Sequence, residues 1–360
     1  MKVMSIFGTR PEMIKMWSTL KKLEELNIDH VMVHTGQNFT PELKDFFFKD
    51  LKLRKPNYEL NINTSSYGKE VSDVILKSDK LMQKEKPDAL LVLGDTFSGL
   101  SVLPAAQRGI KIFHMEAGLR AWDKRMPEQR NRILIDHISD ILLPYNNYHR
   151  ENLIREGIHP SKIIVTGNTT FEAMNYFQSS INKSMILKKL FLKKKKYILV
   201  TCHRSENVDN KKSLKNIFIA LNKIQEELNL PIIFPMHPRT KSKIKDLKVS
   251  TKISIIDPLG FYDFNNLLKS SYCILSDSGT AAEEGLYYKV PNVSLRMATE
   301  RYETIESGGT IVSGMNADNI LESVKQAVTL NTNTRYDFAD GLSPSSVVVN
   351  SLRSQITNHF

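Results

Sequence analysis

KIFHMEAGLRAWDKRMPEQRNR, residues Lys111 to Arg132, joins two kinds of sequence that must be read together. Its first five residues continue a short apolar run from Ile110 and fit a buried strand. The stretch that follows, Glu116 to Arg132, holds three carboxylates and five arginine or lysine side chains, a charge density foreign to a core. A charged surface helix would pair its charges at i,i+4 over an apolar stripe. The first twelve residues here carry no stripe and are broken by Gly118 and Pro127, which favours a loop. At the carboxyl end of a buried strand, such a loop is where open α/β sheets place chemistry on anionic substrates, arginines for phosphate and carboxylates for proton transfer. A solvated, salt-bridged loop would look the same in isolation, so the rest of the chain decides.

The unit of apolar run and polar turn recurs along the chain. Strands are predicted at Lys2 to Phe7, His30 to Thr35, Ala89 to Leu93, Lys111 to Met115, Ile141 to Pro144 and Ile163 to Thr166. Six more are predicted at Tyr197 to Thr201, Pro231 to Pro235, Ile253 to Asp257, Tyr272 to Ser276, Asn292 to Leu295 and Thr310 to Val312. Helical spacing fills the gaps, with Val71, Val74, Ile75 and Leu81 on one face and Leu214, Ile217, Phe218, Leu221 and Leu228 on another. This alternation predicts an α/β protein of two doubly wound Rossmann-type domains with parallel sheets, facing a cleft lined by loops at the strands' carboxyl ends. The rhythm falters between Gly167 and Lys196. Residues 1–170 with a C-terminal helix, 343–360, are therefore assigned to an N-terminal domain and 190–342 to a C-terminal one. Ser343 suits an N-cap and Pro344 the first turn of that last helix, with Val347, Val348, Leu352 and Ile356 for its apolar face.

A chain of 360 residues, 41% hydrophobic and 25% charged, has the composition of a soluble globular enzyme. No apolar run approaches the ~20 residues of a membrane span, and the N-terminus turns polar after Phe7, so a cytoplasmic protein with no membrane partner is expected. Cys202 and Cys273 lie in or beside apolar runs without metal-ligand spacing and read as reduced core thiols; no metal is expected. The net charge of +11 raises nucleic acid as a partner. Much of the surplus sits in KKLFLKKKK, Lys188 to Lys196, and in residues 239–252, which read as a linker and a solvated loop or helix face, and no nucleic-acid motif accompanies them. A basic cleft for a nucleoside diphosphate uses the charge equally well, and no nucleic-acid partner is expected.

Other strand ends carry their own polar turns. Gly8-Thr9-Arg10-Pro11-Glu12 closes the first strand; the glycine permits close ligand approach, the following helix offers N–H groups to an anion, and Arg10 and Lys15 add charge. A buried turn followed by a surface lysine is the plain alternative. Gly94-Asp95-Thr96 aims Asp95 the same way, although Asp is also a routine N-cap. TCHRSEN, Thr201 to Asn207, sets His203 beside Arg204, Glu206 and Asn207, and His237-Pro238-Arg239 repeats the arrangement one unit later. In Asp277-Ser278-Gly279-Thr280, followed by Glu283 and Glu284, a strand leads into a small-residue turn and a helix, bringing hydroxyls and amides to a helix start as a diphosphate requires; an ordinary capped helix start would share the pattern. RMATER, Arg296 to Arg301, completes the set. No GxGxxG and no GxxxxGKS or GxxxxGKT occurs, against tightly bound NAD and against a P-loop.

Taken together, GTRPE, GDT, EAGLR, PE with the following NR, HRSEN, DSG with its paired glutamates, and TER resemble the non-hydrolysing UDP-N-acetylglucosamine 2-epimerase family over nearly the whole chain. The resemblance implies a glycosyltransferase-B-like fold, a UDP-sugar substrate, a homodimer, no cofactor, and a place in surface polysaccharide precursor synthesis. By motif position it implies Asp95, Glu116, Glu128 and His203 as catalytic residues. Arg10, Lys15 and Arg132 would lie at the substrate, and Ser278, Gly279 and Glu284 would hold diphosphate and ribose, with His237, Thr280 and Arg301 completing the UDP-binding set. Three departures stand out: Asn38-Phe39-Thr40-Pro41 replaces a basic stretch linked in the family to an allosteric site, Thr280 replaces a glycine, and Gln129 follows Pro127-Glu128. The TGQN, HPRT, DPLGF and DSGT variants look more like the branch acting on modified sugars, such as UDP-N-acetyl-L-fucosamine synthesis or diacetamido-uronate epimerisation. Trp122 and Met126 are the expected apolar contacts for such a sugar.

Inverting carbon 2 of an N-acetylhexosamine needs either oxidation of a neighbouring carbon by NAD or loss of UDP from carbon 1 as a base removes the carbon-2 hydrogen. The missing dinucleotide fingerprint and the several carboxylates select elimination and re-addition. A hydrolysing relative and a UDP-sugar glycosyltransferase are the alternatives.

Overall fold

The computed structural model describes residues 1–36, 48–123, 126–236, 238–245, 253–329 and 343–357. The chain divides into two compact units, Met1–Tyr176 with Asp337–Phe360, and Phe177–Tyr336. The first contains β1 (Lys2–Phe7), β2 (Asp29–His34), β3 (Tyr58–Glu59), β4 (Ala89–Leu93), β5 (Lys111–Met115) and β6 (Ile141–Leu143). The second contains β7 (Ile198–Thr201), β8 (Ile232–Pro235), β9 (Ser254–Ile256), β10 (Cys273–Ser276), β11 (Asn292–Ser294) and β12 (Thr310–Val312).

Both sheets are parallel throughout, as short, continuously apolar strands joined by helical crossovers require. The orders are β3-β2-β1-β4-β5-β6 and β12-β11-β10-β7-β8-β9. Numbered within its own unit and read from the other edge, the second order is the same as the first, the doubly wound order that reverses direction once. The reversal falls between β1 and β4 in one unit, in register Val3 to Ala89, and between β7 and β10 in the other, Ile198 to Cys273. The α/β fold expected from the alternation is the one observed.

Helix Lys211–Leu228 shows how the local sequence builds this layer. The Asn210 side chain accepts from Lys212 and Ser213 N–H at 3.0 and 3.1 Å, and Leu214, Ile217, Phe218, Leu221 and Ile224 are buried against the second sheet's core. Each such side chain contributes about 1.5–3 kcal/mol by leaving water. The last helix, Pro344–Thr357, packs against helices Arg10–Glu25 and Thr169–Tyr176 of the first unit. Two details depart from the sequence reading. Tyr58–Glu59 forms an unforeseen edge strand, and Ile163 to Thr166 makes only a single bridge to Leu142, running along the edge of β6 without a full ladder.

Candidate active site

The carboxyl ends of β1, β4, β5 and β6 bring together an alternating chain of charges in the first unit. Lys15 donates to the Glu116 carboxylate, Arg132 donates to the other Glu116 oxygen at 2.8 Å and to Asp95 at 2.5 Å, and the Tyr145 hydroxyl donates to Glu116 at 3.0 Å. Lys15, Glu116 and Arg132 are almost entirely buried, whereas Asp95 keeps part of its surface. Burying such a network brings little net stability, since desolvation consumes most of the Coulomb gain. Its position at the strand ends therefore points to chemistry. Glu116 also sits at φ +61, a left-handed conformation that costs an L residue roughly 1–2 kcal/mol and recurs at functional sites.

What holds this row is a second, fully buried cluster that the sequence did not reveal. His114 Nδ1 lies 2.7 Å from Asp136, and His114 Nε2 lies 2.8 Å from the carbonyl of Gly94. The ring thus bridges the Asp136 carboxylate and the Gly94 carbonyl. Asp136 also accepts from Arg120 at 2.7 Å and from the Gly118 N–H at 3.2 Å, while Arg120 reaches Glu156 at 2.6 Å. Burial opposes ionisation of Asp136, but the His114 and Arg120 charges hold its pKa below the usual carboxylate range. Asp136 lies one helical turn after Arg132 and two after Glu128, so the cluster sets the height of helix Pro127–Ile138 against β5. Gly118 has no substitute here: a Cβ would come within 2.3 Å of the His149 carbonyl.

Glu128 stands on the first turn of that helix, half-buried, and not in a loop as the sequence reading had it. Proline at the first helical position starts a helix as readily as it interrupts one, which is why Pro127 misled. Arg10 opens helix Arg10–Glu25, but this helix start is closed. Glu12 accepts from the Gly8 and Thr9 N–H groups at 3.1 and 2.8 Å and from the Thr96 and Ser98 hydroxyls, and Thr9 caps in return. The N–H groups expected to meet an anion are largely taken by the protein itself. Thr96, not Asp95, is the N-cap of the short helix Phe97–Ser101, leaving Asp95 to Arg132. Trp122 is exposed at φ +55 and Met126 is buried; Lys124 and Arg125 lie outside the described residues.

In the second unit the loops after β7, β10 and β11 converge. Asp277, wholly buried, accepts from the His203 and Arg204 N–H groups at 3.1 and 3.0 Å and from the Asn207 amide at 2.9 Å, with His203 Nδ1 at 3.5 Å. Burial works against its charge, yet His203, Arg204 and Asn207 hold its pKa low. Cys202 also contacts Asp277, and burial followed by that charge pushes its thiol well up; burial pushes Cys273 up to about 12, so both are inert thiols. Ser278 caps helix Gly279–Tyr287, its side chain accepting from Ala281 N–H at 3.4 Å. The N–H groups of Gly279 and Thr280 head that helix with no acceptor inside it. Gly279 lets Arg301 and Glu300 approach, its Cβ position lying 3.1 and 3.2 Å from them, and Arg301 pairs with Glu283 at 3.5 Å. Glu284 is buried within the first two turns, and Arg296 pairs with Glu300 at 2.8 Å. His237 lies outside the described residues, as do Asn38 to Pro41. The sequence reading missed Tyr145, His114 and Asp136; Tyr145 alone had a signal, its place just past the end of β6.

Known proteins resemble this chain in sequence and in fold. A family model described as UDP-N-acetylglucosamine 2-epimerase matches residues 21–349. The UDP-N-acetylglucosamine 2-epimerase of Methanocaldococcus jannaschii is 39% identical over 97% of this chain and 98% of its own. The UDP-2,3-diacetamido-2,3-dideoxy-D-glucuronate 2-epimerase of Pseudomonas aeruginosa is 34% identical over 91% and 92%. The crystal structure of the M. jannaschii enzyme in complex with UDP-GlcNAc and UDP superposes with a TM-score of 0.93 at 38% identity, covering 98% of this chain and 100% of that one. With sequence and fold matching from end to end, the chain belongs to the UDP-N-acetylglucosamine 2-epimerase family.

Proposed function

We propose that this protein inverts carbon 2 of a UDP-linked N-acetylhexosamine by eliminating UDP and adding it back. The observation that carries the reading is the buried row Lys15, Glu116, Arg132 and Asp95, with carboxylates ready to move a proton and cations that fix their place. A base takes the carbon-2 proton while the bond from carbon 1 to oxygen breaks, and the electron pair of the C–H bond becomes the new double bond of a glycal. Protonation of the opposite face and return of UDP complete the inversion. Positioned acids and bases contribute ~100- to 10,000-fold each to such a step. The first-turn amides of helix Gly279–Tyr287, with Arg301 beside them, suit the departing diphosphate. Asp95, Glu116, Glu128 and His203 are our catalytic candidates. We read the protein as a cytoplasmic homodimer, which light scattering after gel filtration tests for assembly.

In heavy water the epimerised UDP-sugar should acquire deuterium at carbon 2. Full retention of the original hydrogen, or activity that depends on added nicotinamide cofactor, excludes elimination. Release of free sugar and UDP would instead identify a hydrolysing enzyme. A modified 2-acetamido sugar is a second reading, supported by the P. aeruginosa relative; competing it against UDP-N-acetylglucosamine in one assay decides by the ratio of kcat/KM.

The pin from His114 to Gly94 gives a further expectation. His114→Gln can still donate from the Nε2 position to the Gly94 carbonyl, whereas His114→Asn can donate only toward Asp136. Since a displacement of about 1 Å can cost ~100-fold, His114→Asn should lose ~10- to 100-fold in kcat at little change in KM, and His114→Gln markedly less. The reverse ranking would show that Gly94 is not the point through which His114 acts on Asp95.

A further inference from the structure

The lysine run of Lys188 to Lys196 has no part in the chemistry above, and the structure shows that it is no slack linker. Helix Ile186–Lys189 ends with Phe191 N–H donating to Lys188 O at 3.1 Å and Leu192 N–H donating to Leu187 O at 2.8 Å, the paired closure of a Schellman motif. The left-handed residue of that motif is normally glycine; here it is Phe191, at φ +53. Leu187, Leu190 and Leu192 pack onto the buried cluster around Ile186, Tyr197 and Leu199, so the turn is fixed. Phe191 points the other way and is 95% exposed, with Met185 half-exposed nearby. Neither backbone preference nor burial accounts for a phenyl ring in this place.

Seven lysines, Lys183, Lys188, Lys189 and Lys193 to Lys196, surround the ring in sequence, and between Glu172 and Glu206 there is no carboxylate. Among the described residues, Asp263 accepts from the Ser184 hydroxyl of this segment at 2.5 Å. Lys195 is committed to the carbonyls of Lys269 and Ser271. Lys183, Lys188, Lys194 and Lys269 line a cleft of about 550 Å³, together with Ser184 and the buried Asn266. We propose that this face, a rigid exposed phenyl ring in a lysine collar beside a cationic cleft, docks the protein reversibly on an anionic lipid bilayer, a peripheral contact that needs no membrane span and replaces the expectation of no membrane partner. Ammonium groups gain from an anionic surface individually, a ring inserted at the headgroup boundary adds apolar burial, and a phosphate-bearing headgroup suits the cleft. A single-stranded nucleic acid fits less well, because one ring on a convex turn provides no row of stacking platforms and the segment has lysines without arginine. The proposal is independent of the epimerase reading, since its test does not measure turnover.

The full chain would be sedimented with phosphatidylcholine vesicles, with and without about 30 mol % phosphatidylserine. Binding to the anionic vesicles only is expected, lost between ~0.05 and ~0.5 M salt. Phe191→Ser, and separately the joint replacement of Lys188, Lys189, Lys193 and Lys194 by Gln, should each weaken it about tenfold or more with unchanged thermal unfolding. Phe191→Trp serves as reporter, with emission shifting to the blue on anionic vesicles. No binding, equal binding to neutral vesicles, or binding indifferent to Phe191→Ser overturns the proposal. So does a fluorescence change with a single-stranded oligonucleotide but none with vesicles.

Discussion

Asp95→Asn and Glu116→Gln are each expected to cut turnover by ~100-fold or more, the loss associated with removing a positioned proton-transfer group. The two substitutions differ in what else they disturb. Glu116 is nearly sealed and faces Lys15, Arg132 and Tyr145, so its amide leaves two buried cations short of a counter-charge and should lower stability as well. Asp95 keeps 18% of its side-chain surface, so Asp95→Asn separates chemistry from folding more cleanly. Glu128→Gln, on a half-buried side chain, should behave like Asp95→Asn. Turnover, UDP affinity by calorimetry and thermal unfolding are to be measured on the same preparations. Near-normal turnover in any of these variants would assign that carboxylate to an ion pair alone.

The largest stability effect is expected at Asp136. Replacing it by Ala leaves the wholly buried Arg120 with Glu156 alone as counter-charge, takes the partner from His114 Nδ1, and removes the acceptor of the Gly118 N–H. Breaking one partner out of a buried charged network costs about 3–5 kcal/mol. Because the folded pKa of Asp136 is held below its unfolded value, its contribution is complete above the ordinary carboxylate range and disappears as pH falls through the folded value. The difference between wild type and Asp136→Ala in urea unfolding should therefore be large at neutral pH and shrink in acid. A difference below about 1 kcal/mol at neutral pH would be no more than an average substitution and would deny the cluster its structural weight.

Much of this architecture is legible in the sequence because parallel strands buried on both faces read as uninterrupted apolar runs. Ala89–Leu93 and Lys111–Met115 match residue for residue. Tyr58–Glu59 does not, since two residues beside Lys55 and Pro56 carry no periodicity. The charged residues of the site were legible as polar turns at strand ends, and Asp95, Glu116 and Arg132 do meet. Their support was not. His114 reads as one more residue of a strand and Asp136 as one more of a helix; 22 positions separate them, and only the packing of that helix on β5 makes them partners.

The two helix starts finish differently. At Arg10 the protein supplies its own acceptor, the Glu12 carboxyl group, whose pKa burial raises, and the Gly8 and Thr9 amides are already satisfied by it. At Gly279 a neutral hydroxyl does the capping, and the leading amides keep their appetite for a visiting phosphate. If, as we propose, the second of these helix starts holds the nucleotide and the first unit handles the sugar's proton, the two tasks lie in separate stretches of gene, and the sugar could be retuned through one while the other goes on reading the same nucleotide handle.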